Sequence, residues 1–134
     1  MADHRRISDY YAELARQVIE ERDDLDYVNE VTVIYLSSNN KKVSKGKRVF
    51  AQCEKVADKN KWAIPADFTI TVFDRNCEGM TEEQLKILLH HEMLHIGVDV
   101  DDRSKLFIRP HDLEDFKEII EEYGTNWSFV PESF

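Results

Sequence analysis

Residues 81–97 constrain the fold most, because they describe a helix with a start, an apolar face, a stop and a chemically loaded last turn. Thr81-Glu82-Glu83-Gln84 has the form of a capping box, in which a threonine hydroxyl and a glutamine side chain three residues on satisfy the first free amides. Leu85, Leu88 and Leu89, with Ile87 and Met93 nearby, supply a face to pack on a core, and Gly97 is placed to end the helix. Within this span His91-Glu92-Met93-Leu94-His95 is an H-E-x-x-H motif. His91 and His95 fall one turn apart on one face, so both imidazoles can reach a single cation, whereas His90, about 100° round the helix, points elsewhere. Glu92 keeps a carboxylate beside the ion without having to ligate it. Zinc with three protein ligands and a water is a hydrolytic centre, because the metal acidifies the water and a glutamate can take its proton. The bland alternative is two ordinary histidines on a half-buried helix.

The rest of the chain has to supply a core for that helix. Its 134 residues are enough for one domain, and 42% hydrophobic with 34% charged residues suits a soluble globular protein. A formal charge of −9 argues against nucleic-acid binding by the surface as a whole. The polar start Met1-Ala2-Asp3-His4-Arg5-Arg6 has no signal-peptide core, and no 18-residue apolar run follows, so the expectation is a cytoplasmic protein without a membrane partner. His4 is expected in a mobile terminus. Cys53 and Cys77 are isolated and too few for a disulfide framework, which suits small buried residues.

Ile7, Tyr11, Leu14 and Val18, widened by Tyr10, Ala15 and Ile19, recur at helical spacing. Val31–Leu36 is β-branched and apolar and reads as a strand, Arg48–Glu54 as a second, and the alternating Phe68–Phe73 as a third. Between the last two, Trp62, Ile64 and Pro65 are expected to cover the core. Positions 41–48, Lys-Lys-Val-Ser-Lys-Gly-Lys-Arg, carry five cations and no anion. Such a run can contact phosphate, but around a glycine a solvated hairpin tip is the expectation. Lys105–Ile108 suits a short strand or an extended cover. Pro110 opens a last helix with Leu113, Phe116 and Ile120 as its stripe, closed by Tyr123-Gly124, and Trp127, Phe129 and Phe134 of the tail are expected to cap the core. The pattern predicts an α+β domain over residues 1–134. A short, mainly antiparallel sheet of about three strands packs on an N-terminal helix, the H-E-x-x-H helix and a C-terminal helix.

A catalytic zinc needs a third protein ligand. Asp101 stands where H-E-x-x-H-x-x-G-x-x-H would place its last ligand, but that pattern wants glycine at position 98 and the chain has Val98. Glu114, Asp115 and Glu118 are carboxylate alternatives on the following helix. His111, 16 residues after His95 at the start of that helix, ranks first. Asp115, one turn beyond, could instead orient a ligand from behind.

Taken together, His91-Glu92-Met93-Leu94-His95-Ile96, Pro110-His111-Asp112-Leu113-Glu114-Asp115-Phe116, Tyr123-Gly124-Thr125-Asn126-Trp127 and the earlier Gly46-Lys47-Arg48-Val49-Phe50-Ala51-Gln52-Cys53 resemble the family of putative phage metallopeptidases. A more distant similarity is to SprT-like zinc proteases, which place a third histidine well downstream and act on DNA-bound protein. The resemblance implies a zincin-like fold and Zn²⁺ held by His91, His95 and His111. It also implies Glu92 as catalytic base, a peptide or protein substrate, and a phage or prophage origin in a bacterial host. No C-x-x-C zinc ribbon is present, and nucleic-acid contact would have to run through Lys41–Arg48. No residue is assigned to oxyanion stabilisation: Arg109 is close in sequence, whereas Tyr123, 12 residues after His111, would lie about 18 Å along the axis of a continuous helix. The competing class is a zinc-stabilised protein of the same fold that binds without catalysing.

Overall fold

The computed structural model describes residues 4–102 and 105–110. His111 and the expected last helix, with its stripe and tail aromatics, lie outside the described residues. Strand β1 (Arg5–Ile7) leads into helix α1 (Asp9–Glu21), a 3-10 stretch (Asp23–Glu30) and β2 (Val33–Ser38). A small hairpin, β3 (Val43–Ser44) and β4 (Lys47–Arg48), precedes β5 (Ala51–Lys55) and β6 (Phe68–Phe73). Helix α2 (Glu82–Leu94) carries the motif, and β7 (Ile96–Val98) pairs with β8 (Leu106–Ile108).

The main sheet has four strands in the order β1-β2-β6-β5. Its central pair is parallel, in register from Val33 with Phe68 to Ser38 with Phe73, and both outer pairs are antiparallel. The sheet is mainly antiparallel as expected, in two of its three pairs, but it has four strands where about three were expected, and its central pair is parallel. β1 is three exposed residues paired to a strand some thirty positions on, so nothing local marks it. Strands β2 and β6 are joined by a long connection containing the hairpin and β5, which is what a parallel pair requires. The bounds of β6 agree with the sequence. All six of its residues are buried, because strands flank it on both sides and both faces are covered.

On one face, Phe68, Ile70, Val72 and Ala51 meet Tyr11, Leu14, Ala15 and Val18 of α1, Leu25 and Val28 of the 3-10 stretch, and Leu88, Leu89 and Met93 of α2. The predicted stripe of α1 holds from Tyr11 onward. Ile7 belongs to β1 and is exposed, because Ser8 caps the helix by accepting the Tyr11 amide at 3.2 Å. The second predicted strand is interrupted: Arg48 pairs with Val43 in the hairpin, and pairing with β6 starts at Ala51. Trp62 is 88% exposed, and Ile64 and Pro65 are exposed as well, so they do not cover the core. Val56 and Ala66, smaller and nearer the strand ends, are the buried residues of that connection. The main chain of His4 is tied to Asn39, its amide donating to Oδ1 at 2.9 Å, which extends the β1–β2 edge to His4 rather than leaving it in a loose terminus.

Candidate metal centre

Helix α2 begins as its sequence dictates. Thr81 Oγ1 accepts the Gln84 amide at 3.1 Å, and Gln84 Oε1 accepts the Thr81 amide at 2.9 Å. At its other end, the last turn is fixed from three sides. Tyr27 donates its hydroxyl to the Met93 carbonyl at 2.9 Å, satisfying an acceptor that a helix end leaves open. The Tyr35 hydroxyl meets Met93 Sδ at 3.6 Å. His90 is buried and its Nε2 lies 3.0 Å from Asp24 Oδ2; a carboxylate only accepts, so Nε2 carries the proton. His90 thus points away from His91, as its angular offset requires, and locks α2 to the 3-10 stretch.

This clamped turn presents the other two histidines. His91 and His95 have ring centroids 5.3 Å apart at 64°, and ligand atoms of His91, Glu92 and His95 all lie within 4.8 Å of one another. His95 closes the helix while keeping helical torsions (φ −71°, ψ −19°), so the one-turn spacing survives to the end. Its Nδ1 sits 2.8 Å from the Arg109 carbonyl oxygen, and the Arg109 amide donates to the His95 carbonyl at 2.7 Å. Since a carbonyl can only accept, Nδ1 carries the proton, which leaves Nε2 as the ring nitrogen able to present a lone pair to a metal. That is the tautomer a metal-ligating histidine needs, held by an outer partner. Two imidazoles and a buried carboxylate converging within this distance form a nitrogen–oxygen donor set that fits a zinc-type cation.

The sequence model of a family described as putative phage metallopeptidase matches residues 4–133, nearly the whole chain. The chain belongs to that family. No curated protein and no solved structure is matched. A metallopeptidase family implies a metal, and the group at His91, Glu92 and His95 is where this member has the donors for one.

Of the residues singled out in the sequence, the structure brings together His91, Glu92 and His95. His111, Glu114, Asp115, Glu118 and Tyr123 lie outside the described residues. Asp101 stands apart in an exposed turn, where its amide and that of Asp102 donate to Asp99 Oδ1 at 2.8 and 3.1 Å. Gly97 does not end the helix. It lies in β7, where a Cβ would come within 2.4 Å of the Phe107 ring, so glycine is required for strand β8 to close on β7. That closure carries Arg109 to His95. The Arg109 main chain is the contributor that the sequence does not reveal, because a backbone carbonyl leaves no side-chain signature to find. On the sheet side, burial raises the Cys53 thiol above its ordinary range, and the Glu92 and Glu54 carboxylates add to the shift. A neutral S–H therefore stands beside the glutamate, not a second anion.

Proposed function

We propose that this family member is a zinc-dependent metallopeptidase acting on a peptide or protein substrate, with His91, His95 and His111 as ligands and Glu92 as general base. The observation that supports it most is the convergence of His91, Glu92 and His95, with His95 held as the Nδ1–H tautomer by Arg109. Zn²⁺, when bound, supplies Lewis acidity toward a water and the scissile carbonyl. Glu92 takes the proton of the attacking water and returns it to the leaving amine, one carboxylate serving both directions of transfer. His90 and Asp24 hold the turn in place. Among the described residues β5 pairs on one side only and packs against α2, which makes it the sheet edge an extended substrate would join by strand addition. No helix among the described residues is long and apolar enough to cross a membrane. A phage-encoded enzyme working in the host cytoplasm is the setting that goes with this reading.

Glu92→Gln tests it, with zinc content and cleavage of a broad peptide library measured on the same preparation. Zinc should stay and cleavage should fall about 10²- to 10⁴-fold, the usual weight of a general base. A wild type that holds zinc and cleaves nothing would assign the site to metal-stabilised binding instead. Unchanged zinc affinity in His111→Ala would remove that residue from the ligand set.

A further inference from the structure

The hairpin expected from the basic run is present, and Val43 to Arg48 are all exposed. What the sequence does not show is that Arg5, itself ion-paired to Glu54 at 3.4 Å, is brought beside Lys42 at its base, with Arg6 and Arg75 at the same end of the sheet. His4 and Asn39 exchange main-chain and side-chain hydrogen bonds at 2.9 and 3.3 Å, which sets Arg5 and Arg6 beside the segment that enters the hairpin. The Arg5 guanidinium and the Lys42 ammonium lie 5.8 and 5.7 Å from the centroid of the same Phe73 ring. Arg75 sits exposed in the turn after β6, next to Asn76, whose side-chain amide donates to the carbonyls of Lys42 and Val49 at 2.9 and 2.8 Å. A chain of net charge −9 thus carries a strongly cationic end. Among the described residues, no ion pair engages Arg6 or any of the five hairpin cations. A cavity of about 450 Å³ lined by His4, Arg5, Arg6, Ser37, Asn39 and Asp74 opens at this end. Its one carboxylate, Asp74, is engaged by the hydroxyls of Tyr11 and Ser37.

We propose that this end of the sheet, with the β3–β4 ribbon projecting from it, docks the phosphodiester backbone of a nucleic acid, independently of the metal centre. The ribbon is anchored at its feet and closed by a defined turn. Asn76 is 4% exposed and pins both of its feet, the Val49 amide donates to the Lys42 carbonyl at 3.0 Å, and Lys45 and Gly46 form a two-residue turn with φ of 52° and 75°. Charge held in place this way is bound with little ordering cost. The distribution of the cations selects the partner. Residues opposite one another in an antiparallel pair point to one face, so Arg48 with Val43 and Lys47 with Ser44 lie on opposite faces, and Lys45 is at the tip. A flat acidic protein surface would meet only one of those faces. A nucleic-acid groove admits a two-stranded ribbon and has phosphates on both walls.

The test is anisotropy of a labelled duplex of about 20 base pairs, titrated with the full chain between about 50 and 200 mM salt. Wild type should bind with an affinity that falls steeply with salt. Lys45→Glu/Lys47→Glu should weaken it at least about tenfold and flatten the log–log salt slope by about two, one for each phosphate no longer neutralised. Lys55→Glu/Lys59→Glu, with the same net charge but outside this end, should stay near wild type. If the glutamate pair fails to fold, Lys45→Gln/Lys47→Gln with an unchanged melting temperature decides in the same direction. Equal weakening in the two reversal variants, no salt-dependent binding by wild type, or preferential binding of polyglutamate would each overturn the proposal, the last in favour of an acidic protein partner.

Discussion

The last turn of α2 and the β3–β4 ribbon are the two most conspicuous stretches of the sequence, and the fold treats them in opposite ways. The turn is enclosed: His90, Glu92, Met93 and Leu94 are buried, and Asp24, Tyr27, Tyr35 and Arg109 each hold one of its atoms. Among the described residues the ribbon is held by hydrogen bonds at its feet and by Arg48 over the Phe50 ring, and its residues Val43 to Arg48 are exposed. Chemistry that needs atoms placed to a fraction of an ångström belongs where packing over-determines position. A surface that meets a diffuse field of phosphates needs only charge and a stiff support. If the contrast is right, mutations should separate the two regions by size of effect.

The largest separation is expected between Leu89→Ala and Val43→Ala. Leu89 is fully buried on the core face of the site helix, and its truncation should cost about 2–5 kcal/mol in urea unfolding. Val43 is 61% exposed, and its truncation should stay within about 0.5 kcal/mol. Comparable destabilisation at both would mean that the ribbon is part of the core and that the contrast fails.

Next in size is Gly97→Ala, which acts on the site without touching it. The added methyl meets the Phe107 ring, and overpacking of this kind costs about 1–3 kcal/mol. Because β8 carries Arg109, displacing Phe107 should loosen the His95 Nδ1–H···O bond, read by nitrogen NMR as exchange of that proton or a mixture of tautomers. Phe107→Ala alone opens space, so the double variant should regain most of the stability. Additive effects in the double variant would show that Gly97 serves something other than the approach of Phe107.

The same contrast explains what the sequence can and cannot disclose. The capping box, the 82–94 helix, the offset of His90 and the 68–73 strand are legible because each depends on neighbours within four residues. His91, Glu92 and His95 are legible for the same reason. The edge strand Arg5–Ile7, the parallel register of β2 with β6 and the exposure of Trp62 depend on partners far along the chain, or on their absence. Apolar character alone places Trp62 inside, and spacing alone draws Ile7 into a helical stripe; the fold does neither. Gly97 carries a signal that suits a helix stop, whereas its reason is a ring from β8. The arginine beside the hairpin is of the same distant kind: Arg5 shares the Phe73 ring with Lys42 only because β1 pairs with β2.

The smallest effect tests the ribbon from within. Lys45 is the only non-glycine among the described residues with a positive φ, 52°, a region where a side chain costs about 1 kcal/mol or more. Lys45→Gly removes that strain but gives the unfolded chain more freedom, which opposes it by about 0.4–1 kcal/mol. The sum is a gain of between about 0 and about 1.6 kcal/mol in stability, with the type of turn unaltered. If the ribbon serves only solubility, nothing else should change. If its tip meets phosphate, Lys45→Gly should weaken duplex binding and lower the salt slope by about one while leaving folding and zinc content as they are. A lysine kept at a position that favours glycine is then accounted for by what its charge meets, and the solvated region of the molecule has a requirement as definite as the enclosed one.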